Sequence, residues 1–212
     1  MRLYLFSILF LFFQANEKCL VSASQGKFEY FQAGYDKFIN GDYKKAFEYL
    51  SMAIENHENL EKAYTIRGDA RRFMDDFKGA LSDYIKAHKI NQMNHELLIK
   101  KAIAYSLLRD YKNSLLNYDK AIQLMPENAT AYCGRGYVKI LKKEYSDALK
   151  DFKKAIEIDP LSVQAILGRG ICEDYLGDYK SAYRDFSKAV ELDPSENRLD
   201  SISKYFSPEM GN

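Results

Sequence analysis

The 212-residue chain contains no tryptophan, only four prolines and only eleven glycines. So few chain-breaking residues favour long helices or strands over a fold rich in loops. The three cysteines exclude a small domain held together by many disulfides. A charge excess is also absent, because 31 basic residues face 30 acidic ones and leave a net charge of +1. The charge therefore predicts no nucleic-acid partner.

The abundant residue types are those of a globular protein. Hydrophobic residues make up 47% of the chain and charged residues 29%, a mixture far from that of disordered chains. The 17 tyrosines and 13 phenylalanines supply many mid-sized rings for the packing of regular elements.

The N-terminus carries a short apolar run. Arg2 precedes apolar residues from 3 to 13, which are broken only by Ser7. This run is shorter than the roughly 17–25 residues that span a bilayer, so it predicts an export signal. Small residues at Val21 and Ala23 predict a cleaved signal peptide over 1–23 and a periplasmic or secretory location, with no membrane-spanning segment in the mature chain. An uncleaved membrane anchor is the alternative.

The rest of the sequence repeats every 34 residues. Alignment of Pro126, Pro160 and Pro194 divides it, without insertion or deletion, into the windows 27–60, 61–94, 95–128, 129–162 and 163–196. With each window numbered from 1 to 34, positions 8 and 20 are always small, and position 17 is always aromatic. Position 24 is always large, being Leu50, Tyr84, Tyr118, Phe152 and Phe186 in turn.

This spacing predicts a pair of helices in each window. Apolar residues recur at helical intervals on both sides of a polar or glycine-containing break at positions 15 and 16. In an antiparallel pair that turns there, position 8 lies level with position 24, so Gly136 faces Phe152. A small residue opposite a ring allows two helices to approach closely, as close-packed interiors require.

The pattern resembles the tetratricopeptide repeat over about four-fifths of the chain. The residues that carry the resemblance are Tyr132, Gly136, Ala148, Phe152, Ala155 and Pro160. It implies an all-α fold, a right-handed superhelix or α-solenoid of five helix-turn-helix repeats. A repeat domain would then cover 24–212, with a C-terminal capping helix in 197–212. Glu58 and Gln92 depart from the pattern where the closing proline would stand.

Three windows combine an arginine at position 7 with an aspartate at position 23. In the third window both change, to Lys101 and Asn117. The two positions lie level across the helix pair, so the pattern predicts partly buried structural ion pairs, not a row of arginines that binds a ligand. The predicted pairs are Arg67 with Asp83, Arg135 with Asp151 and Arg169 with Asp185.

The resemblance also implies a binding surface. In this family the first helices of successive repeats line an inner groove that holds a peptide. The residues of this chain at the matching positions are Phe31, Tyr35, Phe38, Asp69, Arg72, Ile99, Ile103, Leu107, Tyr137, Leu141, Leu167, Ile171 and Tyr175. Phe31 and Tyr35 stand where chaperone-binding members place the lysine and asparagine that grip a carboxylate. An apolar or amphipathic segment is therefore the expected ligand.

The predicted function is that of an adaptor with a protein or peptide partner and no enzymatic activity. The alternative is a structural component that homo-oligomerises, or docks on a membrane complex, through its aromatic first repeat. No catalytic, cofactor or metal site is predicted, because His57, His88 and His95 lack ligands at zinc spacing. Asn128 begins a glycosylation sequon, which has meaning only in a eukaryotic secretory pathway.

Overall fold

A computed structural model describes residues 30–194, in which every regular element is an α-helix. The predicted signal peptide and the predicted cap in 197–212 lie outside the described residues. Helix α1 includes residues 30–39. The helices that follow are α2 Tyr43–Glu55, α3 Leu60–Phe73, α4 Phe77–Ile90, α5 His95–Leu107, α6 Tyr111–Leu124, α7 Ala129–Leu141, α8 Tyr145–Ile158, α9 Val163–Tyr175 and α10 Tyr179–Leu192.

The chain divides after residue 92 into two compact units. The first unit contains α1 to α4 and the second contains α5 to α10. Within each unit, helices that adjoin in sequence pack in pairs joined by a short turn, and each pair falls in one 34-residue window, except that α3 begins one residue before its window. The prediction of an all-α fold built from helix-turn-helix repeats is therefore confirmed.

The turn inside each pair has one conformation throughout. The residue at position 15 has a positive φ in all five windows, being Gly41, Asp75, Arg109, Lys143 and Gly177. In four windows an aspartate at position 16 follows, and its carboxylate accepts a hydrogen bond from a main-chain N–H in the first turn of the next helix. The aspartate satisfies a donor that the helix itself leaves unpaired. The polar break in the sequence is thus a turn followed by an N-cap.

Replacement of Lys143 by glycine is expected to stabilise the protein. Lys143 holds a φ of 63°, a conformation that costs a residue with a Cβ about 1–2 kcal/mol. Glycine removes that cost but loses more chain entropy on folding, so the expected net gain is about 0.5–1 kcal/mol. Urea unfolding measures it. The reciprocal exchange Gly177→Lys, at the same position of the last pair, should destabilise, and an equal sign for both substitutions would contradict the explanation.

Small residues of one helix pack against the large residues that the sequence predicted to face them in the other helix of the pair. A Cβ added to Gly136 would lie 2.8 Å from the Phe152 ring, and one added to Gly170 would lie 2.8 Å from the Phe186 ring. Phe152 is fully buried, as are the alanines at positions 20 and 27 of its window. These contacts leave no room for a side chain on the first helix of the pair, so the prediction of small residues facing rings is confirmed.

The arginines at position 7 contact the aspartates at position 23. The shortest N···O distances are 2.7 Å for Arg67 with Asp83, 2.6 Å for Arg135 with Asp151 and 2.6 Å for Arg169 with Asp185. All three aspartates are buried. Arg135 also contacts Asp119 of the preceding helix pair, at 2.6 Å. The three guanidinium groups are thus paired with the carboxylates that the sequence predicted for them.

The last pair departs from this arrangement at position 11. In windows two and four a second cation at this position reaches the same aspartate, with Arg71 3.0 Å from Asp83 and Lys139 2.7 Å from Asp151. Window five has Glu173 instead. Burial, and next the charge of Asp185, raise the pKa of Glu173 to about 6. Its Oε2 atom is buried and has no hydrogen-bond partner in residues 30–194.

Replacement of Glu173 by glutamine should remove a pH-dependent loss of stability. A carboxyl whose pKa is higher in the folded state stabilises that state when protonated, and this contribution disappears as the pH rises from about 4.5 through about 6. Glu173→Gln should therefore be more stable than the parent at pH 8, by about 1 kcal/mol after allowance for solvent screening. Urea unfolding at pH 4.5 and pH 8 measures this. The exposed Glu157→Gln is the control, and identical pH profiles for all three proteins would refute the prediction.

Candidate functional site

An apolar cleft of about 300 Å³ lies between α5 and α7 in the second unit. Its volume is at the lower end of the roughly 300–1,000 Å³ that is usual for small-ligand pockets. The lining residues are Ile99, Ile103, Ser106, Leu107, Tyr118, Thr130, Cys133, Gly134, Tyr137 and Val138. None of these ten side chains carries a formal charge at pH 7. The cleft is therefore suited to an apolar ligand group rather than to an ion.

The helical repeat of α5 creates one wall of the cleft. Ile99, Ile103 and Leu107 are four residues apart and share one helix face. Ile99 is buried at the deep end, and Leu107 is 44% exposed at the rim. The sequence analysis predicted all three as groove residues, and the structure brings them together with Tyr137 of α7. The wall thus runs from the core to the surface.

A tyrosine from α6 forms the floor of the cleft. Tyr118 is only 3% exposed, yet it lines the cavity. Its hydroxyl lies beside Gly134 of α7, where any added Cβ would overlap it. Burial raises the pKa of Tyr118, so the hydroxyl stays protonated at physiological pH and can donate a hydrogen bond.

The cysteine in the cleft is not set up for chemistry. Burial raises the pKa of Cys133 to about 12, which keeps the thiol protonated, whereas a nucleophilic cysteine needs the thiolate. Cys133 and Cys172 are both buried free thiols. Among residues 30–194, no group of three or more histidine, cysteine, aspartate or glutamate residues is arranged to hold a metal ion.

The other groove residues predicted in the second unit have different surroundings. Tyr137 donates a hydrogen bond from its hydroxyl to the main-chain oxygen of Gln164, at 2.8 Å. Leu141 is exposed, and Ile171 packs against a core cluster. Tyr175 stacks on Tyr145 with the ring centres 4.3 Å apart. Of these four, only Tyr137 contributes to the cleft.

Two of the predicted groove residues lie in the interior, which corrects the sequence analysis. Leu167 is 2% exposed and belongs to the core cluster that contains Phe186. Asp69 is 8% exposed and accepts a hydrogen bond from the Tyr84 hydroxyl at 2.8 Å. Leu167 packs with Phe186 of α10 and Asp69 pairs with Tyr84 of α4, so neither residue is exposed on the groove surface.

The remaining predicted residues belong to the first unit. Phe31 and Phe38 of α1 pack against a core cluster, whereas Tyr35 is exposed. The guanidinium of Arg72 lies 4.2 Å from the centre of the Phe73 ring. None of these residues is among those that line the cleft between α5 and α7.

Sequence analysis did not assign Tyr118 or Gly134 to the site. It treated position 24 as a core position and considered only the small residue opposite it in the same pair. The signal that it overlooked is the glycine at position 6 of the following window. Gly134 lies beside Tyr118 in the same way as Gly168 lies beside Phe152.

Within residues 30–194, no helix combines the length and the apolar character that crossing a membrane requires.

Comparison with known proteins identifies the repeat. A family profile described as Tetratricopeptide repeat matches residues 129–160, and a second profile with the same description matches residues 163–196. These matches coincide with α7 to α10. No curated protein sequence matches the chain.

Solved structures share the fold at low sequence identity. A solved chain of MamA from Desulfovibrio magneticus, which starts at its residue 41, is 20% identical with a TM-score of 0.70, and the alignment covers 81% of this chain and 97% of that solved chain. A tetratricopeptide repeat protein from Parabacteroides merdae is 28% identical with a TM-score of 0.69, over 81% of this chain and 68% of that one. YrrB, described as a TPR protein with an unusual peptide-binding site, is 19% identical with a TM-score of 0.63, over 82% and 90%. The two profile matches identify residues 129–160 and 163–196 as tetratricopeptide repeats, and the described residues share the fold of these solved proteins.

Proposed function

We propose that this protein is a non-enzymatic adaptor that binds an apolar or amphipathic segment of another protein in the cleft between α5 and α7. The uncharged apolar lining of that cleft carries the proposal. Removal of apolar surface from water stabilises a complex by about 25 cal/mol per Å². An apolar anchor side chain in the cleft would therefore supply the driving force, and the exposed Leu107 at the rim would contact the flanking residues of the ligand.

The comparisons support interaction rather than catalysis. YrrB, which shares the fold, is described as having a peptide-binding site. The thiol of Cys133 is protonated and the described cleft has no charged lining residue, so the lining offers no ionised general base to activate a hydroxyl or thiol. Export is part of the same proposal, with a mature N-terminus at Ser24 that sequencing of the purified native protein would test.

Substitution of Leu107 by lysine should weaken partner binding. The lysine places a charge at the rim of the apolar cleft, and its exposed position allows the chain to fold. The measurement is affinity purification of the tagged chain from its native compartment, followed by titration of the recovered partner by calorimetry. We expect about a 10-fold or greater loss of affinity.

Leu116→Lys is the matched control. Leu116 lies on α6 and is 48% exposed, close to the 44% of Leu107, but it does not line the cleft. A partner that is retained by Leu116→Lys and lost by Leu107→Lys supports the proposal. Equal binding by the parent and both variants would place the partner elsewhere and refute it.

A structural role in assembly is the second candidate. Tyr35 and Ile39 of α1 are exposed, at 40% and 63% of their surfaces, and both lie in the first unit, away from the cleft residues in sequence. An exposed apolar helix face of this kind is suited to contact with a second copy. Concentration-dependent sedimentation of the parent and of Ile39→Asp separates the candidates. Self-association that Ile39→Asp removes and Leu107→Lys preserves would favour assembly over the adaptor.

A further inference from the structure

The floor of the cleft contains a polar group without a partner. The Tyr118 hydroxyl forms no hydrogen bond with any group in residues 30–194, although the residue is 3% exposed. The hydroxyl reaches the cleft, so in the unbound protein solvent can satisfy it, whereas a ligand that fills the cleft displaces that solvent. A ligand that fills the cleft must therefore either offer this hydroxyl a partner or leave it unsatisfied.

The equivalent tyrosine in the first unit has an internal partner. Tyr84 and Tyr118 both occupy position 24, and the Tyr84 hydroxyl donates to Asp69 at position 9 of its window. In the window of Tyr118, position 9 is Ile103, which offers no acceptor. The same side chain is therefore satisfied internally in one repeat and left open to the cleft in another.

Packing alone does not require a hydroxyl group on the ring at position 118. In the last two windows position 24 is Phe152 or Phe186, and each ring packs against at least one glycine, as the Tyr118 ring does. A phenylalanine would thus fill the same space. Gly134 in turn keeps the hydroxyl accessible, since a Cβ at that position would overlap it. The two residues together form a small polar spot at the base of the apolar walls.

We propose that the cleft selects a partner segment whose anchor side chain is uncharged and apolar along its length but ends in a hydrogen-bonding group, as tyrosine does, and that Tyr118 pairs with that end. This inference rests on the proposed function, because it specifies the ligand of the same cleft. A purely apolar anchor such as phenylalanine would bury the Tyr118 hydroxyl without a partner. A charged anchor would find no counter-charge among the lining residues.

The test uses a random dodecapeptide library displayed on phage and selected against the full chain. Enriched peptides are synthesised in two forms, with tyrosine and with phenylalanine at the anchor position, and are titrated against the parent and against Tyr118→Phe. The parent should prefer the tyrosine peptide by about 10-fold or more. Tyr118→Phe should lower this preference to within about twofold while its thermal midpoint stays close to that of the parent.

A second variant tests the same point without removing the hydroxyl. Ile103→Asn places an acceptor where the first unit has Asp69, so Tyr118 gains an internal partner. The preference for the tyrosine peptide should fall in this variant too. It also keeps the test decisive if Tyr118→Phe folds poorly.

The outcomes separate the inference from the function on which it rests. One outcome is a peptide that loses affinity for Leu107→Lys, and so requires the cleft, but that binds the parent equally well with tyrosine or phenylalanine as its anchor. This outcome would overturn the inference and leave the proposed adaptor function in place. An equal loss of both peptides with Tyr118→Phe would also overturn it, because the hydroxyl would then contact the peptide main chain. A selection that yields no peptide dependent on Leu107 would overturn both.

Discussion

Replacement of Asp151 by leucine is expected to lower the free energy of unfolding by about 3–5 kcal/mol, because it removes the buried carboxylate that two partly buried cations share. Arg135 and Lys139 both contact the Asp151 carboxylate, at 2.6 Å and 2.7 Å, and the aspartate side chain is only 5% exposed. Its loss removes both ion pairs and the paired hydrogen bonds from Arg135 Nε and Nη2. Urea unfolding followed by circular dichroism measures the change.

The same arginine supplies the control. Arg135 also contacts Asp119 at 2.6 Å, but the Asp119 side chain is 50% exposed. Solvent-exposed ion pairs contribute about 0–1 kcal/mol, so Asp119→Leu should cost at most that much. Similar losses for the two substitutions would mean that burial does not determine the strength of these contacts, and a loss below half a kcal/mol for Asp151→Leu would mark it as a surface contact.

Replacement of Phe152 by alanine should cost about 3–5 kcal/mol, the usual range for the deletion of a fully buried ring. Phe152 has no exposed surface. Its ring packs against Gly136 of α7 and Gly168 of α9, and Tyr137 meets it edge-on with the ring centres 5.1 Å apart. A cavity at this point would lie among three helices. Thermal and urea unfolding should both detect the loss, and a change below about 1 kcal/mol would contradict the packing described.

A double-mutant cycle isolates the contact between ring and glycine. A Cβ at Gly168 would overlap the Phe152 ring, so Gly168→Ala should cost about 1–3 kcal/mol in the parent. In the Phe152→Ala background the ring is absent, and the higher helix propensity of alanine should make Gly168→Ala stabilising by up to about 1 kcal/mol. Additive effects of the two substitutions would show that they do not interact.

The helix pairs were predictable because their signal is repeated. Each window has its small and large residues at the same positions. Gly136 and Phe152 lie at similar distances in sequence from the turn, so the sequence predicts that they face each other across the helix pair. The ion pairs followed from the same reasoning, with Lys101 and Asn117 as the informative exception. These features depend on two positions within one window, and spacing along the chain determines them.

The cleft was only partly predictable, because it depends on contacts between windows. Tyr118 reaches it through the space that Gly134 leaves in the next pair. Leu167 occupies a groove position in the pattern but packs in the core with Phe186, and Asp69 is held by Tyr84. Helical position alone does not tell whether a residue faces solvent or a neighbouring side chain. That outcome depends on which large residues the adjoining helices contribute.

The bridging role of Arg135 has a consequence for cooperativity. Its guanidinium joins Asp119 on α6 to Asp151 on α8, and Arg67 similarly joins Ser51 on α2 to Asp83 on α4. In repeat proteins such contacts between neighbouring pairs determine whether the pairs open singly or together. Backbone amides of α6 and α8 should therefore exchange with deuterium at a shared rate, and loss of the arginine should let the two helices open independently.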